Sequence, residues 1–535
     1  MGLRFTLSLV GFLRHPVTLE EARETLCSRF EHRSSNFLWL VRKAIYENPS
    51  SPYFHLLDYA RCQYGDLEKL VLQLGIEGAL GVLFQKGVFL SVEEFKGRAP
   101  LIRGNQVIEV PAGGIRNPLS RGHFRARTGG SSAASRTPSD RGTPPAAPSP
   151  VFMDLAFLRE RSMNHRLAVQ FRGGGHWAHA NWSVPGYTDL VMGLELLASA
   201  GGLARWFNQV DPSTPGLPLR YQSSQSAVRW AGRIAGVGIP KPQHVPLTEP
   251  APILRWATAA LAAGKTPHLV TFVSPAVMLC QQAIDHNIDL TGMQMTLGGE
   301  PLTQARLGSI LKCGAQPVPR FMAMECGYLG YGCLNAGLPD TYHVFYDLNA
   351  ITQAGPHGKE FGLPPDALLI TSMRPSAPYI LLNVSLGDRA AVEDGPCGCP
   401  LEEFGWRHRI TRVRSFRRLT SGGMTFLDDD LARILEDVLP ARFGGTPLDY
   451  QLIEDEGQDG APRLLLRIHP RLGQMDPAAV LKAFHDALQS LSAAERLMGI
   501  QWKSAGLISV QRQAPDSAAS GKVLHFLRAP NRGSS

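Results

Sequence analysis

With 535 residues the chain exceeds what one hydrophobic core organises, so two or three domains are expected. Hydrophobic residues at 44% and charged residues at 19% give an ordinary globular balance, and eight unevenly spaced cysteines in so long a chain exclude a disulfide scaffold. The net charge of +8 comes with no basic block and interleaved aromatics beyond a short run around Arg407–Arg418, so no nucleic acid is expected as partner; a basic surface suits phosphate-bearing ligands.

The opening, MGLRFTLSLVGFLRH, has a short apolar core broken by polar residues and lacks a small-x-small cleavage site. No apolar run reaches membrane-spanning length, so a cytoplasmic protein without membrane insertion is expected. From Thr18 to about Leu90 the pattern is helical. Thr18 and Glu21 make a capping box before Ala22, Leu26 and Phe30, and Gly65-Asp66 caps a helix whose Leu67, Leu70, Val71 and Leu74 share a face. Phe124–Pro150 is a Gly/Ser/Thr/Pro stretch with linker composition. Asp154 to Leu297 alternates strand and helix, the pattern of a parallel or mixed sheet, with Lys265–Ser274 as a core strand and a helix from Pro275. His176, Trp177 and Trp182, beside Gly173-Gly174-Gly175, either line a pocket or serve packing, and packing is the commoner use of such residues.

The turn Gly298-Gly299-Glu300-Pro301 lets backbone approach a flat ligand or a neighbouring strand closely. A helix with Leu302, Ala305, Leu307 and Leu311 follows, ending near Gly314. An apolar run from Val318 to Met324 then stops at Glu325 and opens into a Gly/Tyr-rich loop. A buried strand that delivers one carboxylate into a loop is a common way to place a catalytic or metal-holding group; the plainer alternative is a strand capped by a surface glutamate. Leu368–Ser372 reads as another central strand, and Leu386-Gly387-Asp388 as a turn. Beyond Arg409–Gly423 the chain reads as a small α+β unit. A helical face of Leu431, Ile434, Leu435, Val438 and Leu439 ends at Pro440, strands Tyr450–Ile453 and Leu464–Ile468 follow, and then come a helix from about Asp476 to Leu491 and a strand near Leu507–Val510.

GGEPL, an apolar strand ending in E-x-G about two dozen residues later, and a cysteine eight positions after the glutamate resemble the adenylate-forming superfamily, in its phenylacetate–CoA ligase-like, acyl-protein synthetase-like branch. The resemblance implies an α/β fold: a helical leader (1–123) on a core domain with mixed sheets (124–413), and a small mobile C-terminal α+β domain (414–535). It implies an AMP-forming acid–thiol ligase that uses ATP and Mg2+ to activate a carboxylic acid, then transfers it to CoA or to a protein or acyl-carrier thiol. Thr128, Gly129, Gly130, Ser131 and Ser132 match the front of the family's phosphate loop, and Gly298, Gly299, Glu300 and Pro301 its adenine turn. Glu325 takes the magnesium position, Asp388 the ribose position, Arg414 that of the arginine before the hinge, and Lys522 that of the lysine that approaches carboxylate and α-phosphate. Several positions depart from the pattern: Met324 stands where threonine is usual, Ala133-Ala134 replace a loop glycine, and Phe416-Arg417 occupy the acidic hinge. A carrier-protein loading ligase and a degenerate nucleotide-binding homologue are the alternatives.

Cys333, His343, Cys397 and Cys399 offer a closed tetrahedral ligand set for structural zinc, Cys397-Gly-Cys399 presenting two thiolates together. The alternative is a core cysteine and a reduced surface turn.

Overall fold

The computed structural model describes residues 3–110, 114–120, 122, 124–126, 151–172, 176–184, 188–200, 202–211, 219–416, 419–421, 424–426, 428–456, 462–489, 508–517 and 521–528. Its centre is a ten-stranded mixed sheet. Six strands run parallel, in the spatial order Gln243–His244, Arg205–Asn208, Trp177–Ser183, Thr266–Phe272, Gln294–Gly298 and Gln316–Ala323. The sheet then continues antiparallel through Gly327–Gly332, Tyr342–Val344, Arg409–Ser415 and Asp388–Glu393. Strands buried on both faces need apolar side chains on both, and adjacent residues divide accordingly. Leu269 packs with Phe207, Leu297 and helices Ala251–Ala262 and Val273–Asp285, whereas Val270 packs with Trp206 and helices Leu155–Gln170 and Thr188–Ala200.

The leader begins with helix Leu3–Arg14, whose Phe5, Leu9, Phe12 and Leu13 are buried in the second of these layers. Thr18 caps helix Leu19–Glu31 by accepting from the Glu21 amide at 3.1 Å, as its spacing predicts. The next cap lies two residues earlier than expected. Helix Tyr64–Gln85 starts after Gln63, whose amide donates to Asp66, and Leu74 lies exposed while Leu67 and Val71 are buried. No helix among the described residues is long and apolar enough to cross a membrane.

Several local expectations are corrected. Gly327–Gly332 is a strand rather than a loop, so Glu325 sits in the tight turn of a hairpin. Glycine is needed in that strand because a Cβ at Gly332 would lie 2.6 Å from Pro319 Cδ, and one at Gly330 2.8 Å from the His343 carbonyl oxygen. Leu368–Ser372 pairs with Asn349–Gln353 in a two-stranded ribbon under the leader and bridges to Val384 through Ile370, rather than lying in the central sheet. Helix Gln304–Leu311 buries Arg306 and Ile310, and Leu311 is exposed. Trp182 is core, its Nε1 donating to the Val245 carbonyl at 2.9 Å. Pro440 does not end its helix: a π turn, Ile434–Val438, precedes Leu439–Phe443, and this wider turn tolerates a residue without an N–H.

The small domain is α+β. Strands lie in the order Ile508–Arg512, Pro462–Ile468, Tyr450–Glu456 and Phe526–Arg528, and Val480, Phe484 and Leu488 of helix Pro477–Gln489 pack with Leu431 and Leu435 over Leu452 and Leu466. In the large domain, Leu297 is fully buried one residue before the glycine turn. Leu297→Ala is expected to destabilise that domain by about 2–5 kcal/mol, read as a lower urea midpoint in tryptophan fluorescence.

Candidate functional site

Strands Thr266–Phe272 and Gln294–Gly298 pair in parallel and end side by side, Phe272 opposite Gly298, at the carboxyl edge where α/β sheets bind ligands. The turn after Gly298 requires glycine. Gly299 has φ of 78°, and a Cβ there would lie 2.8 Å from both Phe272 Cδ1 and Lys522 Nζ. Lys522 comes from the other end of the chain. It is only 8% exposed, and its ammonium lies 5.1 Å from the Phe272 ring centroid. Burial lowers its pKa below the ordinary lysine value, and the Glu300 carboxylate partly restores it.

Glu300 is held on both oxygens. Its Oε2 accepts from the Ser274 amide at 2.8 Å, and its Oε1 from the Ser274 hydroxyl at 2.6 Å and from Arg306 at 3.4 Å. The Val523 amide in turn donates to Ser274 Oγ at 3.2 Å, so the lysine segment is bonded to the start of helix Val273–Asp285. Arg306, fully buried, donates from Nε to Glu436 Oε1 at 2.7 Å and from Nη2 to the Val523 carbonyl at 3.3 Å. The same Nη2 lies 3.2 Å from His525 Nε2, while Glu436 also accepts from Thr303 Oγ1 and meets His525. Burial pushes the Glu436 carboxyl up, but Arg306 and His525 outweigh it and hold it at about 2.

Glu325 is buried at the hairpin tip, with Lys96 Nζ of the leader 3.9 Å from its carboxylate. The turn is fixed beneath, where Arg374 Nη2 donates to the Cys326 carbonyl at 2.6 Å. Asp388, half-buried, opens its strand after Gly387 (φ 97°) and stands opposite Ser415. The Phe416 amide donates to the Gly387 carbonyl at 3.0 Å, which ties the outgoing chain to this turn. Charges on both Glu325 and Asp388 help burial to raise the Cys326 thiol. Arg414 pairs with Asp340. Thr128, Gly129, Gly130, Ser131 and Ser132 lie outside the described residues, as do Arg417, Gly422 and Gly423.

Cys333, His343, Cys397 and Cys399 do converge. Their ligand atoms all lie within 4.8 Å of one another, the one such group among the described residues. Cys333 Sγ and His343 Nε2 each lie 3.6 Å from Cys397 Sγ. Four ligands at zinc bond lengths stand about 3.5–3.8 Å apart, so the spacing fits. His343 Nδ1 bonds the Trp406 carbonyl at 2.6 Å, which leaves Nε2 to face the sulfurs. A hydrogen bond from Cys333 and another from His343 draw the Cys399 thiol below its ordinary range despite burial, while the same bond raises Cys333.

Sequence reasoning missed Lys96, Arg306, Glu436 and His525. The available signal was positional: Arg306 stands on a helical stripe between apolar Leu302 and Ile310, and Glu436 follows directly on buried Ile434 and Leu435.

No protein-family model matches the chain, and neither does any curated protein. Solved structures do. A crystal structure of 2-hydroxyisobutyryl-CoA ligase in the postadenylation state, in complex with 2-HIB-AMP, is 12% identical with a TM-score of 0.56, covering 96% of this chain and 91% of that one. The chain has the adenylate-forming ligase fold. The same ligase in its thioesterification state with 2-HIB-AMP and CoA aligns at 14% identity over 96% and 91% of the two chains, TM-score 0.44. Anthranilate CoA ligase in complex with anthranoyl-AMP aligns at 12% over 75% and 65%, TM-score 0.42. In this version of the adenylate-forming fold, the Gly299 turn and Lys522 leave no room for a methyl group between them. Gly299→Ala is therefore expected to displace Lys522 and to raise its rate of acetylation by acetic anhydride, measured by mass spectrometry, on the order of tenfold.

Proposed function

We propose that this protein activates a carboxylic acid as an acyl-adenylate at the expense of ATP, then passes the acyl group to a thiol, either CoA or the thiol of a carrier protein. The observation that carries the reading is Lys522, a buried cation brought from the small domain (residues 414–535) onto the glycine turn at the sheet's carboxyl edge. There the ammonium would meet the negative charge that develops as a carboxylate oxygen bonds the α-phosphorus and the bond to pyrophosphate breaks. Gly298, Gly299, Glu300 and Pro301 would line the adenine, Asp388 would accept hydrogen bonds from the ribose hydroxyls, and Thr128 to Ser132 would receive the phosphates.

Glu325 would hold the magnesium of MgATP. A buried carboxylate at a rigid hairpin tip, with its nearest cation a lysine 3.9 Å away, suits that ion, which would neutralise phosphate charge. Lys96 would then be displaced from Glu325 or turned toward phosphate. Arg414, on strand Arg409–Ser415 at the start of the small domain, would anchor the hinge to the large domain through its pair with Asp340. The Cys333, His343, Cys397 and Cys399 set would hold structural zinc. Four protein ligands leave no open position for water, so the ion would supply cross-linking and no chemistry. A cytoplasmic location agrees with eight cysteines of which none is in a disulfide.

ATP–pyrophosphate exchange, screened over aryl and aliphatic acids, tests the reading. Exchange that needs magnesium and falls about 100- to 1,000-fold in Lys522→Ala supports it; wild-type exchange in that variant would remove the lysine from the reaction. Glu325→Gln should raise the magnesium concentration needed for half-maximal exchange. Burial lowers the lysine's pKa, so the ammonium is lost as pH rises through a value below its ordinary 10.5, and Glu300→Gln should move that alkaline limb lower still. Nucleotide binding without exchange for any acid would favour a non-catalytic homologue instead, the reading that Met324 and Phe416 at departing positions support.

The metal has its own test. Purified protein is expected to contain about one zinc per chain, lost in Cys397→Ser/Cys399→Ser, with a lower thermal midpoint for the large domain. Fully stable, zinc-free wild-type protein would dismiss the site.

A further inference from the structure

Lys522 could occupy its place by loose packing of the small domain, or it could be fastened there. The bonds around it favour fastening, and they come from side chains not so far given a role. Thr303 caps the helix that follows the glycine turn and Arg306 lies within it, whereas Glu436, Val523 and His525 belong to the small domain. Between them run the Arg306–Glu436 ion pair at 2.7 Å, the Thr303–Glu436 bond, the bond from Arg306 to the Val523 carbonyl at 3.3 Å, and the Arg306–His525 approach at 3.2 Å. On the large-domain side the chain of contacts ends in Glu300, which also takes both donors of Ser274, and Ser274 accepts from the Val523 amide. Every bond to Val523 fixes the residue next to Lys522.

We propose that Arg306 and Glu436 are positioning residues for Lys522: they form a buried ionic clasp that holds the small domain in the lysine-inserted arrangement. The side chains of Arg306, Glu300 and Glu436 are each 3% exposed or less. Buried charges are tolerable only while paired. The clasp therefore has two acceptable conditions, fully closed or parted with both halves in water, and a partly opened interface leaves an unpaired charge in a dry place. That property makes the lysine's position all-or-none. Withdrawing Lys522 requires Glu436 to leave Arg306, and it leaves Arg306 with Glu300 alone. The bond from the Val523 amide to Ser274 transmits the same condition to the turn that holds Glu300. The role in the reaction rests on the adenylation reading given above; the clasp itself does not.

The full-length protein tests both parts. In wild type, Lys522 should resist acetylation by acetic anhydride, whereas Glu436→Gln and Arg306→Met should increase its modification about tenfold or more. Pyrophosphate exchange should fall about ten- to a hundredfold in these variants, while conversion of a presynthesised acyl-adenylate to thioester should not slow. Arg306→Lys, which keeps a cation between Glu300 and Glu436, should recover part of the loss seen in Arg306→Met. If Arg306→Met fails to fold, Glu436→Gln, which keeps size and shape, decides the matter. Unchanged Lys522 protection in Glu436→Gln overturns the clasp. Equal loss in both half-reactions overturns the positioning role, since a structural defect acts on both. Should the wild type show no exchange with any acid, the acetylation arm alone still upholds or overturns the clasp.

Discussion

An ammonium group held out of water is the constraint on which the site depends. Lys522 is nearly sealed against the ring of Phe272 and the backbone of Gly299, where burial works against its charge. What keeps the charge tenable is the Glu300 carboxylate, which needs its own donors in Ser274 and Arg306. Arg306 in turn needs Glu436. One buried cation thus calls for a succession of alternating charges that runs from the sheet edge into the other domain. The glycine turn is part of the same requirement, because any side chain at Gly299 would stand where the lysine stands.

A second buried ionic layer lies under the hairpin that carries Glu325. Arg161 pairs with Glu195 at 2.5 Å, Tyr328 donates to the same carboxylate at 2.7 Å, and Arg320 donates to the tyrosine at 2.6 Å. Tyr328 and Arg320 sit on the two strands of the hairpin, and Arg161 comes from the helix packed below. Such pairs contribute little net stability, but they penalise any shift of one strand against the other. With Arg374 on the Cys326 carbonyl, they fix the height and direction of the turn. Rigid support of this kind is what a carboxylate needs if it is to present fixed geometry to an ion.

Much of this was legible from the chain. The alternation of strand and helix patterns between Asp154 and Leu297 announces the parallel half of the sheet, because strands buried on both faces are largely apolar. The order of GGEP, the strand before Glu325, Gly387-Asp388 and Lys522 announces the fold. The convergence of Cys333, His343, Cys397 and Cys399 was legible as ligand chemistry and is present as geometry. The glycines of Gly327–Gly332 misled, since glycine argues against strand unless a neighbouring backbone presses close, and that pressure comes from Pro319 and His343, which only the pairing brings near. The partners of Arg306 were beyond local reasoning for a related reason. Glu436 lies 130 positions away, and no periodicity relates two charges whose only link is a domain contact. Pro440 misled because a proline signals a helix end, and the π turn before it is a local irregularity without a sequence signal.

The strand Phe526–Arg528 lies parallel to Tyr450–Glu456, with Leu452 opposite Phe526. Lys522 and His525 stand just before it, so they reach their places only when this late strand docks. Parallel pairing across so long an intervening segment closes slowly, because a large loop must be ordered before any bond is gained. During synthesis the large domain emerges first and can fold while the glycine turn, Glu300 and Arg306 still lack their counterparts. The half-built interface then displays a buried-type arginine and its acceptor to solvent, a polar surface that discourages premature apolar association. The lysine's place therefore rests on a strand that follows it in the chain and must join its sheet.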